Sequence, residues 1–369
     1  MKLLLYSDLH ISKTSSILPI SAEKSKFSYR QNMIIETGKY LATVADENNV
    51  DMIINLGDTF DVHTITSYDI VTASEFFKCF RYINVPHIVL VGNHEMVNRD
   101  FNAVELLSNI DNITVITEPS SVNAGFIASL RHPDADLSNT PKSDNTVLAF
   151  LPYCNYRDIL EFPDGEFLFS HQDIQGSSIR GDITLQDGIN TATLKDKYKL
   201  VFNGHIHKSS IMGNIINVGS VTTHSFADDD LSVPQCYIFD TNTLDLTTFK
   251  PTICPLFRKL DVTDKFDLCK QLDSLDDSYK YVINCSCPYE CKDDIKTILN
   301  TSAKVINHRL STKIDKTTEN KDSKAEIILQ QSNLDITQSF TDFLETVDIK
   351  FPKQLYLDII KEVSVSETR

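Results

Sequence analysis

The sequence has no apolar run approaching the ~18 residues that a helix needs to cross a bilayer, which excludes membrane-spanning helices. It is equally far from collagen-like or disordered composition, with 41% apolar and 23% charged residues. Only Leu3, Leu4, Leu5 and Tyr6 precede Ser7 and Asp8. That is well short of the ~7–15 apolar residues of a secretory segment, so a cytoplasmic location is expected. Basic charge is scarce: 35 Lys+Arg stand against 51 Asp+Glu, a formal net charge of −16. An acidic surface repels phosphate and argues against strong unaided grip on nucleic acid. Screening over ~8 Å at physiological salt leaves room for local contacts, and bound cations can invert the field inside a cleft. Cysteine offers no disulfide framework, because eight residues are scattered along 369 positions with no export signal, so reduced thiols are expected. Cys285-x-Cys287-x-x-x-Cys291 supplies three thiols with no fourth ligand at suitable spacing, and reads as thiols rather than as a zinc site. No internal repeat is present.

At roughly 150 residues per domain the chain is long enough for two or three domains. The acidity is uneven: residues 1–255 hold 18 Lys+Arg against 31 Asp+Glu, and residues 256–369 hold 17 against 20. Five short buried-strand runs in the first part each end in a polar cluster. These are Lys2 to Tyr6 before Ser7-Asp8-Leu9-His10, Met52 to Leu56 before Gly57-Asp58, and Ile88 to Val91 before Gly92-Asn93-His94-Glu95. The last two are Phe167 to Phe169 before Ser170-His171, and Leu200 to Phe202 before Asn203-Gly204-His205-Ile206-His207. Helix-length segments at 27–48 and 66–82 alternate with the strands, predicting a βαβαβ core with its site at the carboxyl ends of strands. Further strands at 146–151, 215–218, 236–240 and 246–249 have shorter connections and suggest antiparallel additions. Beyond 251–255 a small β-α-β-α-β unit is expected, with strands at 257–262, 280–285 and 304–310 and helices at 266–275 and 293–299. The Lys-, Asp-, Thr- and Ser-rich stretch 311–326 reads as a linker or exposed excursion. Amphipathic helices are expected at 335–347 and 352–363; Phe340, Phe343, Leu344 and Val347 follow i, i+3, i+4, i+7 spacing.

Singly, these strand-end motifs are common. Jointly and in this order, Asp8-x-His10, Gly57-Asp58-x-x-Asp61, Gly92-Asn93-His94-Glu95, His171 and Gly204-His205-x-His207 resemble the calcineurin-like metallophosphoesterase family. Gly57-Asp58-Thr59-Phe60-Asp61 is similar to the G-D-x-F-D of SbcD-like nucleases of bacteria and phages, and the aspartate at 61 stands where archaeal and eukaryotic repair nucleases have histidine. Val218-Gly219-Ser220 with His224-Ser225-Phe226 resembles that group's G-S-P…S-F stretch, with Val221 in place of the proline. Ser170-His171 through Gly176 resembles the G-H-x-x-x-x-G of phage recombination nuclease subunits.

The resemblance implies an α/β fold, a mixed β-sandwich flanked by helices (αββα). Residues 1–255 would be the nuclease domain, 256–310 an α/β capping domain, 311–326 a linker and 327–369 a helical segment docking an SbcC-like SMC/ABC ATPase. It implies a DNA nuclease subunit, a 3′ to 5′ exonuclease with some endonuclease action, working in DNA recombination, repair and replication. Its place would be the cytoplasm, that of the host if phage-encoded, and homodimerisation is expected. The cofactors would be two divalent metal ions, manganese first, with magnesium, iron or zinc as alternatives. One would take Asp8, His10 and His207, the other Asn93, His171 and His205, with Asp58 bridging. Carboxylate, imidazole and carboxamide donors suit such ions. Two divalent cations against two carboxylates and a hydroxide leave about one unit of positive charge for a phosphodiester. His94 is the expected general acid, and Asp61 is expected to orient it or to cap the following helix. Lys13, Arg99, Arg131 and Lys208, and secondarily Arg157 and Arg180, are candidate DNA contacts, while His63 and His224, which flank the motifs, read as structural histidines by default with approach to substrate as the alternative. Asp228-Asp229-Asp230 reads as solvated charge, and His87, His132 and His308 as structural histidines. Two other readings compete: a stand-alone phosphoesterase on small nucleotides or phosphoproteins, and a non-catalytic tethering subunit.

Overall fold

Lys2–Tyr6 form the first strand, β1, in which Leu3, Leu4, Leu5 and Tyr6 are all fully buried. A strand buried on both faces must lie inside layers. The computed structural model describes residues 1–12, 18–19, 25–96, 102–123, 146–159, 161–180, 183–223, 226 and 233–313. Lys13, Arg99, Arg131, His132, His224, Asp228-Asp229-Asp230, linker residues 314–326 and the helices expected within 327–369 lie outside the described residues. In chain order β1 is followed by α1 (Tyr29–Glu47), β2 (Met52–Asn55), α2 (Ser67–Lys78), β3 (His87–Leu90), β4 (Ile113–Ile116), β5 (Ser120–Asn123), β6 (Val147–Leu151) and β7 (Phe167–Ser170). Then come β8 (Ser178–Arg180), β9 (Ile183–Thr184), α3 (Thr191–Lys197), β10 (Leu200–Asn203), β11 (Ser210–Met212), β12 (Ile215–Asn217), β13 (Cys236–Asp240) and β14 (Leu246–Phe249). A third group comprises β15 (Leu256–Asp261), α4 (Lys265–Asp273), β16 (Tyr281–Pro288), α5 (Lys292–Thr301) and β17 (Val305–Lys313).

Two six-stranded sheets, ordered β14-β13-β1-β2-β3-β4 and β11-β12-β10-β7-β6-β5, form a sandwich. Side-chain alternation explains the layering. Leu3 and Leu5 of β1 join Ile54, Leu90, Phe150, Phe169 and Phe202 in the core between the sheets, whereas Leu4 and Tyr6 face Ile34 and Leu41 of α1 and Phe76 of α2. On the far side Ala149, Leu168 and Val201 pack against Leu194 of α3. The helices begin where side chains satisfy their first amides: Ser28 and Gln31 form a capping box on α1, and Thr66 and Asp69 form one on α2. Thr66, not Asp61, is therefore the cap of the helix after β2.

The expected antiparallel additions are found at β13 and β14. β6 pairs antiparallel with β5 as expected but parallel with β7, and β12 pairs parallel with β10. The reason at β12 is an unanticipated hairpin: β11 folds back antiparallel on β12, so the chain returns in the direction of β10. The third sheet, β15-β16-β17, is wholly parallel, and β17 continues through Ser311, Thr312 and Lys313 into the stretch expected to be linker. Cys285 and Cys287 alternate with outward residues on β16 and sit among Leu268, Ile295 and Leu299. Burial pushes the Cys285 thiol up to about 12. Among the described residues, no metal-binding group includes these cysteines. Also among the described residues, no helix is long and apolar enough to cross a membrane.

Candidate metal centre

The carboxyl ends of β1, β2 and β3 in one sheet and of β7 and β10 in the other converge at one end of the sandwich. The turns after β1 and β2 are zipped together by backbone hydrogen bonds: Asp8 N donates to Gly57 O (3.1 Å), His10 N to Asp58 O (2.9 Å) and Ile11 N to Thr59 O (2.7 Å). Asp8, His10, Asp58 and His205 adopt φ of 54°, 47°, 51° and 69°. Left-handed backbone at such residues is uncommon, and it persists only where the surroundings enforce it, most often at functional sites. Close packing beneath the site demands glycine. A Cβ on Gly204 would lie 2.7 Å from the Leu56 carbonyl and 2.9 Å from His171 Nδ1, and one on Gly92 would collide with the Asp58 amide and carboxylate.

The seven expected ligands are brought together. Asp8, His10 and His207 form one group and Asp58, His171 and His205 another, each with its donor atoms within 4.8 Å of one another. His10 Nε2 lies 3.1 Å from His207 Nε2, and both lie 3.8 Å from Asp8 Oδ1. Asp58 Oδ2 is 3.7 Å from His10 Nε2 and 3.4 Å from His171 Nε2, so one oxygen serves both groups. Asn93 Oδ1 lies 3.1 Å from His171 Nε2 and 2.8 Å from His205 Nδ1.

Proton placement tests whether these residues fit metal ions. His171 Nδ1 donates to the Leu56 carbonyl (2.7 Å), which can only accept, so in the neutral ring Nε2 turns a lone pair toward Asn93 Oδ1 and Asp58 Oδ2. His205 Nε2 likewise donates to Asp173 Oδ1 (3.0 Å), leaving the Nδ1 lone pair facing Asn93 Oδ1. Lone pairs of four donors thus face one another, an arrangement that repels itself unless a cation or an added proton intervenes. The donor set fits a pair of divalent cations.

Without a cation, protons take that role. Burial opposes a charged His171, but Asp58 outweighs it and lifts the imidazole to about 9. Burial likewise works against Asp58, yet His171, His10 and His94 hold its carboxyl well below the usual range. Burial dominates at His10 and lowers its pKa.

His94 is held through Nδ1 by the backbone carbonyl of Asp61 (2.6 Å), while the Asp61 carboxylate lies 3.5 Å from His10 Nδ1. Asp61 therefore supports His94 with its main chain and faces His10 with its side chain. His94 Nε2 is 3.9 Å from Asp58 Oδ2. His63 is exposed and belongs to none of the groups above. Lys208 is half-buried directly after His207, and Arg157 pairs with Asp187 at 2.8 Å on the surface.

Three supports escaped sequence reasoning. Arg30, 2% exposed within α1, donates to the carbonyls of Leu9 (3.0 Å), His10 (3.0 Å) and Thr223 (2.8 Å), bracing the turn that carries His10. Glu95 is fully buried and accepts from Gly92 N (2.6 Å) and Phe60 N (2.9 Å); burial first, then Asp58, pushes its carboxyl up to about 8. Asp173 receives the His205 hydrogen bond, which holds its carboxyl below the ordinary range. Nothing in the residue types around Arg30 names its partners, which lie far away along the chain.

Residues 1–209 match the profile of a family described as calcineurin-like phosphoesterase. A DNA double-strand break repair protein Mre11 from Saccharolobus solfataricus is 28% identical over 110 residues, covering 29% of this chain and 28% of that one. A putative phosphoesterase of invertebrate iridescent virus 3 is 25% identical over 195 residues, covering 50% of this chain and 52% of its own. The chain therefore matches about half or less of the length of these relatives. Among solved structures, a dimetal phosphatase from Danio rerio is similar at 11% identity and a TM-score of 0.37, covering 68% of this chain and 98% of that one.

Proposed function

Because the chain belongs to the calcineurin-like phosphoesterase family, we propose that it is a manganese-dependent DNA nuclease subunit that hydrolyses phosphodiester bonds with 3′ to 5′ exonuclease and some endonuclease action. The observation that carries this reading is the single oxygen Asp58 Oδ2, placed 3.4 Å from His171 Nε2 and 3.7 Å from His10 Nε2 between two groups of donors. Asp8, His10 and His207 would hold one ion, Asn93, His171 and His205 the other, and Asp58 both. Two such ions would supply Lewis acidity at the phosphodiester and would lower the pKa of water there.

The chain's own residues do the rest. The Asp61 carbonyl keeps the proton of His94 on Nδ1, so Nε2 is the nitrogen free to gain and lose a proton. When charged, His94 donates from Nε2 to the leaving 3′ oxygen. Asp58 accepts the His94 main-chain N–H at 3.1 Å, which ties the acid to the centre of the site.

DNA is favoured as substrate by likeness to a protein named for double-strand break repair and by the G-D-x-F-D motif. The net charge of −16 favours a partner that grips DNA, and an SbcC-like SMC/ABC ATPase suits that role. Residues 327–369 are proposed as its docking segment, residues 256–310 as a capping domain and a homodimer as the assembly. Manganese-loaded protein should shorten an end-labelled duplex, faster with the ATPase and ATP, and His94→Ala should abolish cleavage while leaving metal content unchanged. Turnover of small generic phosphodiesters with DNA untouched would replace this reading by that of a stand-alone phosphoesterase.

A further inference from the structure

We propose that Asp173 is a positioning residue for His205: its carboxylate holds the proton on Nε2 and so keeps Nδ1 available as a donor to one of the two ions. The inference rests on the metal-centre reading above and assigns to Asp173 the affinity of that single position.

Both ring nitrogens of His205 face oxygen, Nδ1 toward Asn93 Oδ1 at 2.8 Å and Nε2 toward Asp173 Oδ1 at 3.0 Å. A neutral imidazole carries one N–H, and an ionised carboxylate only accepts, so the proton belongs on the Asp173 side. His171 achieves the same orientation with the Leu56 carbonyl. The two histidines that share Asn93 Oδ1 are thus locked by different means, a buried main-chain oxygen in one and a partly exposed charged side chain in the other. A carboxylate behind a ligating imidazole raises its basicity as well as fixing its tautomer.

Asp173 is itself firmly seated. Its carbonyl accepts from Ile189 N at 2.8 Å, Ile174 and Ile189 form a parallel bridge, and a Cβ on Gly188 would come within 2.5 Å of the Asp173 carbonyl oxygen. The carboxylate is 36% exposed and the His205 side chain 20% exposed, so removing the carboxylate leaves no large cavity.

The test is a manganese titration of the full chain followed by electron paramagnetic resonance, which separates isolated ions from exchange-coupled pairs, in wild type, Asp173→Ala and Asp173→Asn. Asp173→Ala is expected to weaken one of two binding steps by about 10- to 100-fold and to replace the coupled signal by that of an isolated ion. The other step and the melting temperature of the metal-free protein stay at wild-type values. Asp173→Asn, which keeps an oxygen acceptor, is expected to recover most of the lost affinity and the coupled signal. Unchanged binding in Asp173→Ala, equal weakening of both steps, or equal losses in Ala and Asn would overturn the assignment. Failure of the wild type to bind two ions would instead remove the metal centre on which it rests.

Discussion

Replacing Arg30 by methionine should destabilise the protein through the turn that carries His10. The guanidinium is buried, and without it the carbonyls of Leu9, His10 and Thr223 lose donors at 3.0, 3.0 and 2.8 Å. Leu9 O retains the Thr222 hydroxyl at 3.0 Å, so its loss is partial. Each buried acceptor left short costs ~1–3 kcal/mol. Relief of the buried charge and the apolar methionine stem offset part of this, leaving a net loss of ~2–4 kcal/mol. At ~2–4 °C per kcal/mol for a unit of this size, the melting temperature should fall by about 5–15 °C. Arg30→Lys should recover less than half, because one ammonium cannot span the fork of acceptors. Thermal melts of metal-free protein followed by circular dichroism provide the measurement. A melting temperature for Arg30→Met within about 2 °C of wild type would refute the claim that this side chain braces the turn.

Burial lowers the pKa of His87 to about 3, and its Nε2 meets the Tyr6 hydroxyl at 2.9 Å. The unfolded chain therefore binds a proton there that the folded chain refuses between roughly pH 6.5 and 3, so stability rises with pH across that window and is lost on acidification. Urea titrations should show wild type losing ~2 kcal/mol more than His87→Leu between pH 7.5 and 5, and parallel slopes would contradict this. Gly92→Ala, whose methyl would strike the Asp58 carboxylate, should cost ~1–3 kcal/mol by overpacking and weaken manganese binding at least tenfold. Wild-type metal affinity in that variant would show that the close approach of these two strand ends is unimportant.

The site was legible largely because its residues stand just beyond the ends of buried strands, where a polar cluster after Leu3-Leu4-Leu5 or Phe167-Leu168-Phe169 has little structural reason to exist. Helices α1, α2, α4 and α5 were legible as helix-length segments between strands, within a few residues at each end. What could not be read depends on partners chosen through space. Asp61 is three residues from Asp58, but only the path of the turn decides that its carbonyl meets His94 and its carboxylate faces His10. Arg30 reaches carbonyls about 20 and 193 residues away. The left-handed backbone at Asp8, His10, Asp58 and His205 could not be read from residue type, because Asp and His adopt it more readily than most side chains but far more often do not. Strand direction in the second sheet failed at β12 because a short hairpin reverses the chain twice.

The most direct measurement is the manganese content per chain after equilibrium dialysis, for wild type and Asp58→Asn, with duplex DNA shortening scored in the same samples. Two ions per wild-type chain, fewer than one in Asp58→Asn, and loss of DNA cleavage with the metal are expected, because Asp58 Oδ2 faces both donor groups. A wild-type chain that binds a single ion, or an Asp58→Asn chain that keeps two, would contradict a shared dinuclear centre.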